Sequence, residues 1–534
     1  MSKKTTADQE LEKHLALIPT DGRNFSQIPS SGMNDVRLEE VKNAPLFSAA
    51  VKEFVEEALV NSDRGPIYPQ YGLLGLRLDT CHGNEQTGSR KESRKSTDNL
   101  IYANITTPWS TFICGSQGSG KSHTLACLLE NALLSPSSVG ILARPLAGIV
   151  FHYDKFTAFS STQLCEAAYL CSAGIPVRVL VSPSNYAAMK KLYRHMPGMA
   201  SDSPKPEVVP LYFREEDLDI SMMKTLMAVG TDAPLYMEIV VKLLRDLAQE
   251  TQDSPGINYS EFKRRLKNEP FIKGQLGPLK MRMQLLESFL YNDYTSAANL
   301  GKRKQSTEPG DLWAFKKGML TIVDLSCPFV EEDDACALFN ICLSLFLERR
   351  SEGGRLVALD EAHKFLSTDS REAIGFTNTL LSLIRQQRHL ATRVIIATQE
   401  PTLSPSLLDL CNVTIVHRFS SPAWYSILER HLAGALLGKI RKAKSEDKAK
   451  SKHLFDQIVR LGTGEALVFC PTAMLDVVSL PVDDDASSQN NGSDGEDEAT
   501  STPTKVVQEL GTRYVPIKVR QRLTTDGGRS ILAE

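Results

Sequence analysis

One short segment constrains the fold more than any other part of the sequence. The run Gly115-Ser116-Gln117-Gly118-Ser119-Gly120-Lys121-Ser122 fits the pattern G-x-x-x-x-G-K-[ST]. Glycines let the backbone curl so that successive N–H groups face one anion. The apolar run Trp109–Cys114 predicts a strand before the segment, and His123–Leu133 predicts a helix after it, with leucines on one face. A strand, a glycine-rich loop and a helix in this order predict a phosphate-binding site in an α/β fold.

The loop chemistry predicts a nucleotide triphosphate with its metal as ligand. In such a loop the Lys121 ammonium reaches the β- and γ-phosphates, and the Ser122 hydroxyl binds Mg²⁺. We therefore expect ATP and Mg²⁺ as cofactors, with Gly115 to Ser122 and the following His123 as nucleotide-binding residues. The alternative is a glycine-rich connector with one solvent-facing lysine.

Short apolar runs alternate with helical patterns through the middle of the chain. The strand-like runs share four to six mostly apolar residues: Thr111–Cys114, Gly148–Tyr153, Val177–Val181, Leu320–Leu325, Leu356–Leu359, Val394–Ala397 and Val413–Val416. Runs of this kind are typical of parallel strands that are buried on both faces. The sequence predicts an α/β protein with a parallel central sheet.

Two carboxylates directly follow one of these runs. Four apolar residues, Leu356–Leu359, precede Asp360 and Glu361. A parallel strand delivers such residues to the carboxyl edge of the sheet, where open α/β folds bind ligands. We expect Asp360 to hold Mg²⁺ opposite Ser122, and Glu361 to polarise the attacking water. The alternative is an ordinary strand that ends in a helix N-cap.

A third strand end carries an amide, and a pair of arginines precedes that strand. Gln399 follows Val394–Ala397 and Thr398 and would hydrogen-bond the γ-phosphate or the attacking water; alternatively it only satisfies a loop. Arg385 and Arg388 lie just upstream, at the end of a helical pattern. They either cap that helix or reach a nucleotide in a neighbouring subunit.

The order of these motifs resembles the HerA–FtsK superfamily of P-loop ATPases, and in particular its HerA-like branch. The similar segments are the phosphate loop, Thr321–Leu325, Leu359–Phe365, Arg385–His389, Ala397–Thr402 and Val416–Phe419. The resemblance covers roughly residues 98 to 472. It departs from the family at His389, where a basic residue is usual, and residues 1–97 do not resemble the family's N-terminal β-barrel.

The resemblance implies a RecA-like fold and a ring-forming motor, with a hexamer and double-stranded DNA as expected partners. It implies that Glu361 is the catalytic carboxylate and Gln399 the sensor amide. The arginine that acts in trans falls on Arg388, with Arg385 as the alternative.

Composition shifts predict a division of the chain. We expect a partly disordered N-terminal region with one helix near 46–59 at residues 1–97, core halves at 98–183 and 315–475, and a helical insertion at 184–314. Residues 476–505 are predicted as a disordered acidic linker, and 506–534 as an arm with an edge or extended strand at Tyr514–Arg520.

Charge and hydropathy narrow the functional classes. The 534 residues include 61 basic and 64 acidic side chains, so global charge does not favour nucleic acid. Three basic clusters, 263–265, 302–304 and 439–452, would line a DNA pore or lie as solvated loops. No apolar run is long enough for a membrane span, and we expect a cytoplasmic or nuclear protein. The alternative function is a nucleotide-gated regulatory or scaffold ATPase that does not act on nucleic acid.

Overall fold

A single mixed sheet organises the computed structural model of the protein. The structure describes residues 35–60, 65–78, 96–155, 163–227, 236–250, 257–271, 273–291, 312–349, 353–401, 403–432, 454–479 and 505–527. The strands are β1 Leu46–Ser48, β2 Tyr71–Arg77, β3 Leu100–Asn104, β4 Ser110–Cys114, β5 Gly140–Ile141, β6 Ala147–His152, β7 Val177–Val181, β8 Glu207–Pro210, β9 Leu320–Asp324, β10 Arg355–Leu359, β11 Thr392–Thr398, β12 Val413–His417, β13 Glu465–Phe469, β14 Met474–Ser479, β15 Lys505–Glu509 and β16 Tyr514–Val519.

One half of the sheet is parallel, in the order β12-β4-β11-β10-β6-β9-β7-β8. Its central strands are buried along their whole length, which explains why they appear as apolar runs in the sequence. All seven predicted strands are present, with ends within two residues of the prediction. The predicted α/β class with a parallel central sheet is confirmed.

The other half of the sheet is mostly antiparallel, in the order β15-β14-β1-β3-β2-β16-β13, and it joins the parallel half where β13 pairs with β12. This half combines strands from both ends of the described chain. The predicted strand at 514–520 is β16, but it is not an edge strand, because it pairs with β13 on one side and β2 on the other. The N-terminal region likewise adds β1 and β2 to the sheet, which the sequence analysis did not predict.

Helices cover both faces of the parallel half. They are α1 Asp35–Lys42, α2 Ala49–Leu59, α3 Lys121–Leu133, α4 Tyr186–Arg194, α5 Ile220–Met227, α6 Tyr236–Glu250, α7 Tyr259–Asn268, α8 Lys273–Phe289, α9 Glu332–Glu348, α10 Arg371–Arg385, α11 Pro405–Leu410 and α12 Pro422–His431, and residues 454–460 are also helical. Two large hydrophobic cores lie on opposite sides of the sheet. Within the described ranges, no helix combines the length and apolar character that crossing a bilayer requires.

The segment predicted as a helical insertion is mainly helical but not purely so. Helices α4 to α8 lie within it, and α5 to α8 pack onto one of the two cores. Strand β8, however, extends the parallel sheet beside β7 and was not predicted. Its short, half-buried sequence at the sheet edge carries no apolar run that would indicate a strand.

Several sequence predictions fall outside the described residues. These are residues 480–504 of the predicted acidic linker 476–505 and the basic clusters at 302–304 and 439–452. The predicted bounds of the linker are too wide, because residues 476–479 belong to β14 and Lys505 begins β15. The third basic cluster, at 263–265, lies in α7.

Candidate nucleotide site

The phosphate loop connects β4 to α3 and is closed by backbone contacts. Ser116 donates both its backbone N–H and its hydroxyl to the Arg418 carbonyl, each at 2.8 Å. Gly120 has a φ of 111°, and a Cβ there would lie 3.0 Å from the Gly464 backbone nitrogen. A Cβ at Gly115 would lie 2.7 Å from His417 Cβ. Only glycine fits these two positions without displacing the neighbouring strands.

Lys121 is the first residue of α3 and is 5% exposed. Its ammonium donates to the Ser116 carbonyl within the loop, at 3.0 Å. Burial lowers the pKa of Lys121, and the carboxylates of Glu361 and Asp360 oppose that shift. Two segments far apart in the chain therefore meet here, as the sequence analysis expects.

Glu361 and Gln399 are brought together at the carboxyl edge of β10 and β11. The Gln399 side-chain amide donates to Glu361 Oε2 at 2.9 Å. Burial, and then the charge of Asp360, raise the pKa of Glu361. Glu361 has a φ of 52°, a left-handed conformation that is uncommon for a residue with a side chain. Strain of this kind concentrates at functional sites.

Asp360 is 3% exposed and lies behind Glu361. His152 Nδ1 lies 3.5 Å from Asp360 Oδ2, and Cys165 Sγ lies 3.8 Å from the same oxygen. Burial lowers the pKa of His152, but contacts with Asp360 and Asp324 outweigh it and bring the pKa to about 9. The neighbouring carboxylates thus favour the protonated form of His152.

A cleft of about 750 Å³ opens above the loop. Its lining includes loop residues, Glu361 and Gln399. Ser122 and His123 line it as well, and the His123 ring contacts the Arg520 carbonyl at 2.7 Å. The C-terminal segment Lys518–Gln521, with Asp526 and Gly527, also lines the cleft. We call residues 518–527 the C-terminal strap.

A buried ion pair fixes the C-terminal strap to the helix that follows the phosphate loop. Arg520 Nη1 donates to Glu130 Oε2 at 2.7 Å, and the two side chains are 6% and 0% exposed. Glu130 also accepts hydrogen bonds from the backbone of Leu523 and from Thr524. Burial favours protonation of Glu130, but these hydrogen bonds and the arginine outweigh it and lower its pKa. The strap is therefore held to α3 by a satisfied buried charge pair.

The structure places Arg388 far from the phosphate loop of its own chain. It is exposed, in the turn between α10 and β11, and Arg385 ends α10. That turn precedes β11, whereas Gln399 follows it. The seven residues of β11 separate the two ends by roughly 20 Å. Arg388 therefore does not join the cleft that Lys121 and Glu361 share in one chain.

Sequence reasoning missed several residues of this region. His152, Cys165, Glu166 and the C-terminal strap were not predicted to lie here. Burial and the charge of Asp360 raise the pKa of Glu166, which lines the cleft, to about 7. One available signal was the polar His152 at the end of an apolar strand, since β6 ends at the same sheet edge as β10.

Comparison with known sequences gives no assignment. No family model matches the chain, and no curated protein matches it.

Solved structures do match. VirB4 of Thermoanaerobacter pseudethanolicus is 14% identical, with 75% of this chain and 94% of that chain covered and a TM-score of 0.39. The plasmid coupling protein TrwB, solved with the GTP analogue GDPNP, is 11% identical over 76% and 93%, with a TM-score of 0.36. B204, the DNA-packaging ATPase of Sulfolobus turreted icosahedral virus, is 11% identical over 68% and 92%, with a TM-score of 0.23.

These proteins are of the type that the sequence motifs indicate, P-loop ATPases of the FtsK–HerA kind. Because each TM-score lies below 0.5, the P-loop fold of this chain rests on its own strand order and loop.

Proposed function

We propose that the chain binds and hydrolyses ATP with Mg²⁺ in the cleft above the phosphate loop. The observation that carries the proposal is that Lys121 and Glu361 line one cleft, where the Gln399 amide donates to Glu361 at 2.9 Å. A buried cation at a glycine-rich loop suits a polyphosphate, and a carboxylate beside it suits the activation of water. Phosphoryl transfer needs little more than such positioning and charge.

Each site residue has a role in this proposal. Gly115 to Ser122 cradle the phosphates with their backbone N–H groups, and His123 follows in the cleft wall. Ser122 and Asp360 hold Mg²⁺, which supplies charge stabilisation for the γ-phosphoryl group when bound. Glu361 orients the attacking water and withdraws its proton, and Gln399 positions the Glu361 carboxylate.

We propose further that the active form is an oligomer. Arg388 is exposed at the sheet edge opposite the phosphate loop, so it reaches a nucleotide only when that nucleotide belongs to a neighbouring subunit. A head-to-tail ring, such as a hexamer, presents the loop edge of one subunit to the Arg388 edge of the next. Arg388 then offsets the charge of the transition state. We also propose that the chain is divided into two core halves, a helical insertion and terminal segments.

Because the sequence resembles the HerA–FtsK motors, we propose that ATP hydrolysis drives the movement of double-stranded DNA. One observation favours the alternative, a regulatory or scaffold ATPase that does not touch DNA. In the cluster 263–265, Lys263 pairs with Glu287, while Arg264 and Arg265 pair with Glu261. Cations that are already paired with carboxylates release fewer counterions from DNA.

Sizing and turnover together test both functions. The full chain is sized by light scattering with and without a non-hydrolysable ATP analogue, and ATP turnover is then measured with duplex DNA at two salt concentrations. A translocase forms a larger assembly with nucleotide, and DNA raises its turnover steeply at low salt. Turnover that DNA leaves unchanged supports the scaffold function. Absence of heat on titrating ATP with Mg²⁺ overturns both.

A further inference from the structure

A second cluster of metal-ligating side chains lies behind the nucleotide cleft. It consists of His152, Cys165 and Asp360, all buried, whose ligand atoms lie within 4.8 Å of one another. His152 ends β6, Asp360 follows the neighbouring parallel strand β10, and Cys165 precedes the helical turn Glu166–Ala173. Three separate segments of the chain thus bring an imidazole, a thiol and a carboxylate to one point.

Two of the three spacings between the ligand atoms are close to those around a small tetrahedral ion, and the third, between His152 and Cys165, is within 4.8 Å. Zinc binds nitrogen and oxygen at about 2.0 Å and thiolate sulfur at about 2.3 Å, which puts tetrahedral ligands about 3.3 to 3.6 Å apart. The observed separations from Asp360 Oδ2 are 3.5 Å to His152 Nδ1 and 3.8 Å to Cys165 Sγ. Movements of a few tenths of an ångström bring both to the expected range.

The imidazole of His152 is oriented as in metal sites. Its Nε2 contacts the Gln163 carbonyl at 3.2 Å, and a carbonyl can only accept, so Nε2 carries the hydrogen. The other ring nitrogen, Nδ1, is fully buried and faces Asp360 Oδ2 at 3.5 Å. This distance is longer than an ordinary hydrogen bond. An imidazole nitrogen and a carboxylate oxygen that face each other at this spacing hold either a proton or a metal cation between them.

The surroundings of the cluster are also fixed by hydrogen bonds. The Tyr193 hydroxyl accepts from the Cys165 backbone N–H at 3.3 Å and donates to Asp324 Oδ2 at 2.5 Å. Asp324 Oδ1 accepts from the Ser326 backbone N–H. Asp324 is therefore engaged, and it adds negative charge beside the cluster without taking part in it.

We propose that His152 Nδ1, Cys165 Sγ and Asp360 bind a soft divalent cation of the zinc class. Thiolate and imidazole ligands suit Zn²⁺, whereas Mg²⁺ takes oxygen ligands and avoids sulfur. On binding, the Cys165 S–H bond breaks, its proton leaves to solvent and an S–metal bond forms. Any proton on Nδ1 leaves in the same way. A water molecule completes the fourth position.

The position of this site gives it a regulatory consequence, which rests on the proposed ATPase function. The single carboxylate of Asp360 cannot bind two metal ions as tightly as one. An ion held by His152 and Cys165 therefore weakens the bond between Asp360 and the Mg²⁺ at Ser122. Zinc then lowers ATP turnover. Binding itself is independent of the ATPase proposal, because it needs no nucleotide.

Cobalt tests the binding directly. The full chain is stripped with a chelator and titrated with Co²⁺ without nucleotide, and the thiolate-to-cobalt charge-transfer band is recorded. We expect one equivalent to give the band in the wild type and in the control Cys171→Ser, a buried cysteine outside the cluster. Cys165→Ser loses the band, and His152→Ala weakens binding at least tenfold, as expected for a lost metal ligand.

X-ray absorption on zinc-loaded wild-type protein keeps the test decisive if a variant fails to fold. One sulfur at about 2.3 Å with nitrogen and oxygen at about 2.0 Å supports the site. No cobalt band in the wild type, a band that persists in Cys165→Ser, or a zinc shell without sulfur overturns it. ATP binding measured by calorimetry on the same samples reports separately on the proposed function.

Discussion

The parallel and antiparallel halves of the sheet build one cleft in different ways. In the proposed function the parallel half supplies the chemistry, since Lys121, Glu361 and Gln399 all lie at the carboxyl edge of its strands. The antiparallel half supplies Gly464, from the turn before β13, and the C-terminal strap. Its contribution is shape and attachment, through the pair Arg520–Glu130. We infer that changes in the first half alter the reaction, whereas changes in the second alter stability and the fit of the nucleotide.

The largest effect is expected at the phosphate loop, which belongs to the parallel half. Lys121→Ala removes the only charge of the loop that faces the phosphates, so ATP binding is lost and turnover with it. Calorimetry with ATP and Mg²⁺ measures this. The exposed Lys267→Ala on α7 serves as a control for the loss of a lysine and keeps normal affinity. Undiminished affinity of Lys121→Ala would contradict the role of the loop.

Arg388→Ala tests the edge of the parallel half that lies opposite the phosphate loop. We expect normal ATP binding and a fall in turnover of about 10³-fold, as for a lost arginine finger. Steady-state rates are compared above and below the concentration at which the protein assembles. Arg385→Ala is measured in parallel, and the larger loss identifies the residue that acts in trans. An equal loss in the unassembled protein shows that the arginine does not act in trans.

Glu361→Gln separates binding from chemistry within the cleft. The amide still fits beside Gln399 but cannot withdraw a proton, so turnover falls by about 10²-fold or more while ATP affinity is kept. Single-turnover rates and calorimetry on one preparation measure both quantities. The exposed Glu57→Gln on α2 controls for the charge change. If turnover is unchanged, water activation belongs to another residue.

Arg520→Ala tests the contribution of the antiparallel half, through the attachment of the C-terminal strap. It leaves Glu130 charged, buried and without its cation, so the free energy of unfolding falls by about 3 kcal/mol. Denaturant titration measures the fall, and Arg460→Ala at an exposed site is the control. ATP affinity drops less than in Lys121→Ala, because the strap loosens while the loop remains. Unchanged stability would show that the strap is not attached through this pair.

The sequence was informative where strands are buried on both faces. The apolar runs at 111–114, 356–359 and 394–397 predicted the sheet and placed Asp360, Glu361 and Gln399 at its edge, and the structure brings Glu361 and Gln399 together. The local sequence pattern is enough to predict such a strand, because a parallel strand that is buried on both faces consists almost entirely of apolar residues. The order of the motifs alone predicted that Lys121 lies near the carboxylates of Asp360 and Glu361.

The antiparallel half was mostly missed because its signals are not local. Strand β2 pairs with β3 and with β16, and Arg520 meets Glu130 across 390 positions of the chain. Half-exposed strands such as β15 show only weak alternation. The cluster of His152 and Cys165 was missed for a related reason, since neither residue belongs to a spaced motif and the position of His152 at a strand end does not identify its partners. Such pairings depend on tertiary packing that a single sequence does not display.

The attachment of residues 518–527 beside the phosphate loop has a consequence for biosynthesis. Translation proceeds from the N-terminus, so the loop at 115–122 emerges about 400 positions before residues 518–527, which also line the cleft. A nascent chain that still lacks these residues therefore carries a phosphate loop with an incomplete cleft. The complete cleft forms when β16 inserts between β13 and β2.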